Sequence, residues 1–290
     1  MTIDLLVAGG TGLAGRAIAK AGRARGLSVA TLARGGDIAV DVRDLDALRA
    51  ALDATPARII VNAAAIVSLP ECERHPGKAW LVNARPAAAF AEYANVSGAR
   101  LIQISTDHYY RGDGRRAHAE TDPVHPMNEY SRTKLAGEVL AQGAGSALVL
   151  RTNFVGWPSV GGGSFAEWAL DVVENDRAAD LYDDQFVSSM DVWSFADAVL
   201  DLAKDKVTGV LNLASAEVFS KAEFVEKLAR AVGRDLSAAR RVSVKSQSTL
   251  RGDSLGLDVS RAAQHLGHSL PTLDQVVANL VAHYEERRMR

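Results

Sequence analysis

Short apolar runs alternate along the first half of the chain with longer stretches in which apolar residues return every three or four positions. Ile3-Asp4-Leu5-Leu6-Val7-Ala8 is apolar almost throughout and closes on glycine, which predicts a buried strand. Ala14, Ala17, Ile18 and Ala21 then share one helical face, in a pattern that stops before Gly26. Residues 28–33 predict a second strand, a short apolar run leads into Asp41-Val42, and residues 45–52 predict a short helix. A strand at 58–61, a long helix at 78–96, a strand at 100–104, a helix from Tyr130 to about Ala141 and a sixth strand at 147–150 follow. Strands separated by helices predict an α/β fold with a doubly wound parallel sheet of the Rossmann type.

After Arg151 the pattern changes. Phe154, Trp157, Phe165 and Trp168 gather around Gly161-Gly162-Gly163, a grouping that suits either a substrate pocket or an ordinary core. Helices are predicted at 191–203 and 220–232, with a strand at 210–213. From Thr272 a last helix carries Leu273, Val276, Val277, Leu280, Val281 and Tyr284 as one apolar stripe, which reads as a packing face. The expected division is a dinucleotide-binding domain over 1–150 plus about 190–215, and a smaller α/β substrate-binding domain over 151–189 and 216–290.

Candidate chemistry begins where the first strand ends. Gly9-Gly10-Thr11-Gly12-Leu13-Ala14-Gly15 joins a strand to a helix start, where free backbone N–H groups and the helix dipole favour an anion. The glycines let backbone approach a pyrophosphate, so a dinucleotide site is expected. At the end of the second strand an NAD site carries an acid for the ribose 2′-hydroxyl. Arg34 stands there instead, nineteen residues after Gly15, and no acid comes before Asp37. A guanidinium pairs with a 2′-phosphate, which favours NADP(H) over NAD(H). Ala63, Ala64 and Ala65 leave room for a flat ligand at the end of another strand.

Tyr130 and Lys134 lie four residues apart and so share one helix face. A phenol titrates near about 10, and an adjacent ammonium favours its ionised form. The pair therefore suits proton exchange with a carbonyl or alcohol oxygen. Ser105-Thr106-Asp107 closes the strand at 100–104 on the same edge as the glycine loop and Ala63–Ala65, which predicts that Thr106 meets Tyr130. Residues 107–127 read as a loop over the site; His118-x-Glu120 lacks a third ligand at a useful spacing, so a solvated loop is expected there and no metal.

Composition narrows the partners. Hydrophobic residues make up 48% and charged residues 23% of the 290, which is ordinary for a soluble domain. The net charge of −2 gives no reason to expect nucleic acid or an anionic membrane. Cys72 is the only cysteine, no run reaches membrane-spanning length, and Ile3–Ala8 enters the glycine loop without a charged leader. A cytoplasmic location is expected.

These residues resemble the extended short-chain dehydrogenase/reductase superfamily, and within it the dTDP-4-dehydrorhamnose reductase (RmlD-like) family. The resemblance runs through Gly9-x-x-Gly12-x-x-Gly15, Asn62-Ala63-Ala64-Ala65, Val82-Asn83-Ala84, Ile104-Ser105-Thr106-Asp107 and Tyr130-Ser131-Arg132-Thr133-Lys134-Leu135-Ala136-Gly137-Glu138. It continues through Leu150-Arg151-Thr152, Asp184-Gln185 and Arg251-Gly252-Asp253-Ser254-Leu255-x-Leu257-Asp258. It implies that Tyr130 donates the proton, that Lys134 holds the nicotinamide ribose and lowers the phenol's pKa, and that Thr106 bonds the substrate oxygen. Ser105 is the lesser candidate. The cofactor would lie along Gly9, Thr11, Gly12, Leu13, Gly15, Ala63, Ala64, Ala65 and Asn83, with its adenine near Asp41 and Val42. The implied reaction is NADPH-dependent reduction of a nucleotide-linked 4-keto-6-deoxyhexose, and a homodimer is compatible with it.

Two segments depart from the family pattern. His108-Tyr109-Tyr110-Arg111-Gly112 replaces a Tyr-Val-Phe-Asp-Gly, and Asn153-Phe154-Val155-Gly156-Trp157-Pro158 replaces a segment with Ser-Trp and Tyr-Gly. His108, Asn153 and Trp157 are expected to border the substrate, with Arg251 a partner for its phosphates. Two other functions stay open. A sugar-nucleotide epimerase or dehydratase would share the fold, although dehydratases carry Asp-Glu where this chain has Asp107-His108. A non-catalytic NADP-binding regulatory subunit would be expected to lose Thr106, Tyr130 or Lys134, all present here.

Overall fold

The computed structural model describes residues 2–158, 163–246 and 252–288. They form two compact units. The first takes in Met1–Thr106, Pro126–Arg151 and Ala196–Leu211. Its strands are β1 (Ile3–Ala8), β2 (Val29–Ala33), β3 (Ile38–Ala39), β4 (Ala57–Asn62), β5 (Arg100–Ile104) and β6 (Leu148–Thr152). Its helices include α1 (Leu13–Ala24), α2 (Leu45–Ala54), α3 (Leu69–Arg74), α4 (Pro76–Asn83), α5 (Arg85–Ser97) and α6 (Glu129–Ala141).

The sheet has seven strands, in the order Gly209–Leu213, β6, β5, β4, β1, β2, β3. All pairings among β1 to β6 are parallel. The chain therefore winds outward from β1 in both directions, as the doubly wound pattern predicted. The strand order reverses between β1 and β4, and ligands of open α/β sheets bind at that point, beyond the strands' C-terminal ends. Leu5, Leu6, Ile60, Leu101 and Phe90 are fully buried. Burying each side chain of this kind contributes about 1.5–3 kcal/mol.

The expected long helix over 78–96 is two helices, α4 and α5, broken at Ala84. Pro86 supplies the reason: it has no N–H to continue α4, and its fixed φ suits the first turn of a new helix. The break leaves the Asn83 side chain at a helix end, where it does structural work described below.

The second unit is Asp107–His125, Thr152–Phe195 and Asn212–Arg290. Its strands are short: Phe186–Val187 pairs with Phe219–Ser220 and Ser254–Leu255, Phe154–Val155 with Met190–Asp191, and Asp180–Tyr182 with Arg240–Val242. Helices Phe165–Glu174, Lys221–Ala231 and Leu273–Arg288 accompany them, and Val276, Val277 and Leu280 of the terminal stripe are buried.

Residues 107–125 fall in this second unit, so the boundary expected at about residue 150 misses one excursion of the chain. The excursion is not a solvated loop either. His118 is buried and stacks on Tyr110 at a centroid distance of 4.0 Å. The His118 backbone donates to the Gly256 carbonyl and accepts from Asn212 Nδ2. Glu120 accepts from the Asn212 backbone N–H. His118 and Glu120 thus tie this segment to residues 212 and 254–258, and burial pushes the His118 pKa down. Among the described residues no group of three or more His, Cys, Asp or Glu is placed to hold a metal, and no helix is long and apolar enough to cross a membrane.

Candidate active site

The glycine turn is built by close contacts that only glycine permits. Gly9 has a φ of +75°, and a Cβ there would lie 2.6 Å from the Ala64 backbone nitrogen. A Cβ on Gly15 would lie 2.3 Å from the Gly9 carbonyl oxygen, so α1 can start against the turn only with glycine at this position. No side chain caps α1 and no acid occupies its first turn, which leaves its N-terminal N–H groups and dipole for an anion.

A cleft of about 450 Å³ opens on this turn. Gly9, Thr11, Gly12, Arg34, Asp41, Val42, Ala63, Ala64 and Ala65 all line it, with Leu32, Val82 and Arg43 among the further lining residues. Leu13 and Gly15 sit immediately behind, in the first turn of α1. Asn62 sets the alanine wall: its Oδ1 accepts from the Ala64 N–H and its Nδ2 donates to Gln103.

The charges at the far end of the cleft are sorted by pairing. Asp37, the first acid after β2, accepts from the Thr31 N–H and hydroxyl at 2.9 Å each and pairs with Arg23. Its carboxylate is therefore committed, and those bonds hold its pKa below the usual range. Asp41 is held by Arg43 through Nε and Nη2, which brings its carboxyl down to about 2, with Arg34 adding a smaller pull. Arg43 is absent from the sequence-based candidates. Alone it looks like any solvated arginine, and only the winding of β2, β3 and the segment beyond brings it to the cleft that Arg34 also lines.

Asn83, expected along the cofactor, is committed to the protein. Its Oδ1 accepts from the Ile66 N–H at 2.7 Å, and its Nδ2 donates to the Ile66 carbonyl and to Thr133 Oγ1 at 3.0 Å each. It staples the wall after β4 to the helix that carries Tyr130. Gly137 completes the joint, since a Cβ there would lie 2.6 Å from the Asn83 carbonyl oxygen.

Tyr130 and Lys134 lie on α6, opened by Asn128 and Ser131 in a reciprocal capping box. Both are buried. Lys134 Nζ donates to the Ile104 carbonyl at 2.6 Å, at the C-terminal end of β5 and two residues before Thr106. Burial lowers the Lys134 pKa to about 8, against an opposing pull from Glu138. Thr106 is 2% exposed and belongs to the same unit as Tyr130 and Lys134. Ser105 donates to Glu138 Oε1 at 2.5 Å, so its hydroxyl proton is spent inside the protein.

The second unit holds the remaining sequence candidates. Asp107 is buried and accepts from Asn153 Nδ2 at 2.6 Å, while Asn153 Oδ1 accepts from Ser189. Burial raises the Asp107 pKa. The half-buried His108 ring sits 3.8 Å from the Asp107 carboxylate. Trp157, expected to border the substrate, turns its indole N–H inward. That group donates to the Leu280 carbonyl at 2.9 Å, and the ring packs on Tyr284, so the side chain pins the terminal helix. Arg251 lies outside the described residues.

A family model described as the RmlD substrate binding domain matches residues 2–286. The chain belongs to that family. The resemblance seen in its sequence motifs is thereby borne out. Over 254 residues, or 85% of this chain and 84% of the relative, it is 28% identical to the probable low-salt glycan biosynthesis reductase Agl14 of Haloferax volcanii. The dTDP-4-dehydrorhamnose reductase of Escherichia coli is 35% identical over 53% of either chain, so that match spans about half the length of the relative. A dTDP-4-dehydrorhamnose reductase from Bacillus anthracis, solved in complex with NADP, superposes with a TM-score of 0.88 at 18% identity, over 98% of this chain and all of that one. The RmlD-family chain therefore shares that reductase's fold.

Proposed function

We propose that this chain, an NAD(P)-dependent oxidoreductase of the RmlD family, reduces the 4-keto group of a 6-deoxyhexose linked to a nucleoside diphosphate, with NADPH as donor. The observation that carries the reading is the Lys134–Ile104 hydrogen bond. It brings the Tyr130 helix against the strand end bearing Thr106, on the sheet edge where the uncapped α1 and the glycine turn open the cleft.

The residues fit the cofactor. The glycine turn and the first turn of α1 would hold the pyrophosphate, Ala63–Ala65 would flank the nicotinamide half, and Val42 would pack near the adenine. Arg34 would pair with the 2′-phosphate, because Asp37 and Asp41, the two acids that follow it in the sequence, are already paired. Bound NADPH supplies the hydride. Thr106 would donate a hydrogen bond to the ketone oxygen, making the carbonyl carbon more electrophilic. Tyr130 would give its phenolic proton to that oxygen as negative charge develops on it. Lys134 would hold the ribose hydroxyls and, as an ammonium, favour the phenolate that Tyr130 leaves behind. In the second unit the Asn153 amide is committed to Asp107 and Ser189, and His108 is the side chain proposed to meet the sugar. Binding energy from the remote diphosphate would fix the ketone against hydride and phenol.

Several relatives are named for reduction of dTDP-linked dehydro sugars, which supports the substrate class. The test is direct incubation of the protein with NADPH and a panel of 4,6-dehydratase products on different nucleotides. The reading requires loss of reduced-nicotinamide absorbance and formation of a 6-deoxyhexose nucleotide. Turnover of simple aldehydes only, or isomerisation without net NADPH oxidation, would overturn it.

A further inference from the structure

Residues 104–106 leave β5 under three separate restraints. Lys134 Nζ donates to the Ile104 carbonyl at 2.6 Å, the Ser105 N–H to the Leu150 carbonyl at 2.7 Å, and Ser105 Oγ to Glu138 Oε1 at 2.5 Å. Glu138 is in turn gripped by Arg151 of β6. The guanidinium Nε lies 3.2 and 3.3 Å from the two carboxylate oxygens, and Nη2 lies 3.0 Å from Oε2. Ser105, Glu138 and Arg151 are 6%, 1% and 5% exposed.

An ion pair this deep is a weak stabiliser, because desolvating both charges consumes most of their attraction. Apolar residues of similar volume would serve the core as well. Nothing in the reaction derived above touches Ser105, Glu138 or Arg151. What the three residues do hold is the point where the chain stops being a strand. β5 ends at Ile104 and the Ser105 N–H still bonds β6, so Thr106 is the first residue beyond the strand and that bond. A charge-assisted hydrogen bond to a carboxylate that is itself clamped bidentately supplies a short, directional restraint there.

We propose that Ser105, Glu138 and Arg151 form a positioning relay that fixes the strand end carrying Thr106, and that they influence the reaction only through Thr106. The inference rests on the proposed reading in one respect, that Thr106 polarises the ketone. Displacing a reacting or polarising group by about 1 Å can cost on the order of 10²-fold in rate. A hydroxyl at the end of a strand therefore needs such an anchor. The relay also explains why neighbouring hydroxyls play different parts: the Ser105 proton is committed to Glu138, and Thr106 is the residue that relay presents.

Selective ¹³C labelling of threonine methyls reads the order of Thr106 in the whole protein without any substrate. Ser105→Ala removes the relay's first bond and leaves the Glu138–Arg151 pair intact. The Thr106 methyl should become mobile in this variant, while the Thr31 and Thr133 methyls and the melting temperature stay at wild-type values. With the keto sugar, kcat should fall about tenfold and the NADPH dissociation constant should not move. Glu138→Gln keeps an acceptor for Ser105 but loses the charge; it should loosen Thr106 in the same way, and it carries the test if Ser105→Ala fails to fold. An unchanged Thr106 methyl in the folded variants overturns the relay. So does a general loosening of all three methyls with a lower melting temperature, which would mark an ordinary packing role. A wild-type protein that reduces no keto sugar nucleotide would strike the proposed function instead, and the methyl data would still judge the relay.

Discussion

Replacing Arg34 with Ala should separate the two nicotinamide cofactors. Arg34 follows β2 at the exposed lip of the cleft, and the acids that could compete for it are accounted for. Asp37 is bound to Thr31 and Arg23, and Asp41 to Arg43. A hydrogen bond between a guanidinium and a phosphate contributes about 1.5–3 kcal/mol in partly buried settings. Solvent screening at this exposed position favours the lower end. About 1.4 kcal/mol corresponds to a tenfold change in affinity. Arg34→Ala should therefore raise the NADPH dissociation constant roughly tenfold and leave that of NADH nearly unchanged. Quenching of intrinsic fluorescence, titrated with each cofactor at low and high salt, measures both. The preference for NADPH should shrink as salt rises, because the interaction is exposed. Arg43→Ala should weaken NADPH less, since the Arg43 guanidinium is already gripped by Asp41. Equal losses for NADPH and NADH in Arg34→Ala would refute the reasoning.

Three further outcomes follow from the site. Tyr130→Phe should bind NADPH like wild type but turn over roughly 10²- to 10⁴-fold more slowly, because a phenyl ring has no proton to give; a wild-type rate would remove Tyr130 from the mechanism. Lys134 titrates near 8 when folded and near 10.5 when unfolded, so the unfolded chain binds the extra proton between those values. This group therefore makes stability rise with pH across that window, while NADPH affinity should fall above about pH 8 as the ammonium is lost; affinity that holds to pH 10 would contradict the assigned role. Gly137→Ala places a Cβ 2.6 Å from a backbone oxygen of Asn83. It should cost about 1–3 kcal/mol of stability and lower kcat as α6 is pushed away; a melting curve and rate identical to wild type would show the joint to be loose.

What was legible in the sequence was local. The β1 run, the glycine turn and α1 are contiguous, and Gly10, Gly12 and Gly15 answer close approaches within the first 31 residues, while Gly9 answers the Ala63–Ala64 backbone. The strand ends at Ala63 and Thr106 could be aligned because parallel winding puts all such ends on one edge. What escaped was long-range pairing. Glu138 and Ser105 are 33 residues apart, and neither looks unusual alone. Arg43 reads as solvated until the winding of β3 brings it to the cleft lined by Arg34. His118 was expected in a polar loop, yet Tyr110, Ser254 and Asn212 enclose it from three parts of the chain. Trp157 drew a substrate role from its place in the segment that departs from the family pattern, whereas its partner Leu280 lies 123 residues away. Pro86 was a readable signal that the helix over 78–96 is two.

Hydride transfer to a sugar ketone can be followed by the isotope the hydride carries. The protein would be given NADPH carrying deuterium at the nicotinamide C4 and a nucleotide-linked 4-keto-6-deoxyhexose, and the product examined by mass spectrometry and NMR. The account predicts one deuterium, placed at C4 of the product hexose, with stoichiometric loss of NADPH. A product without deuterium, or an isomerised sugar with NADPH intact, would contradict it.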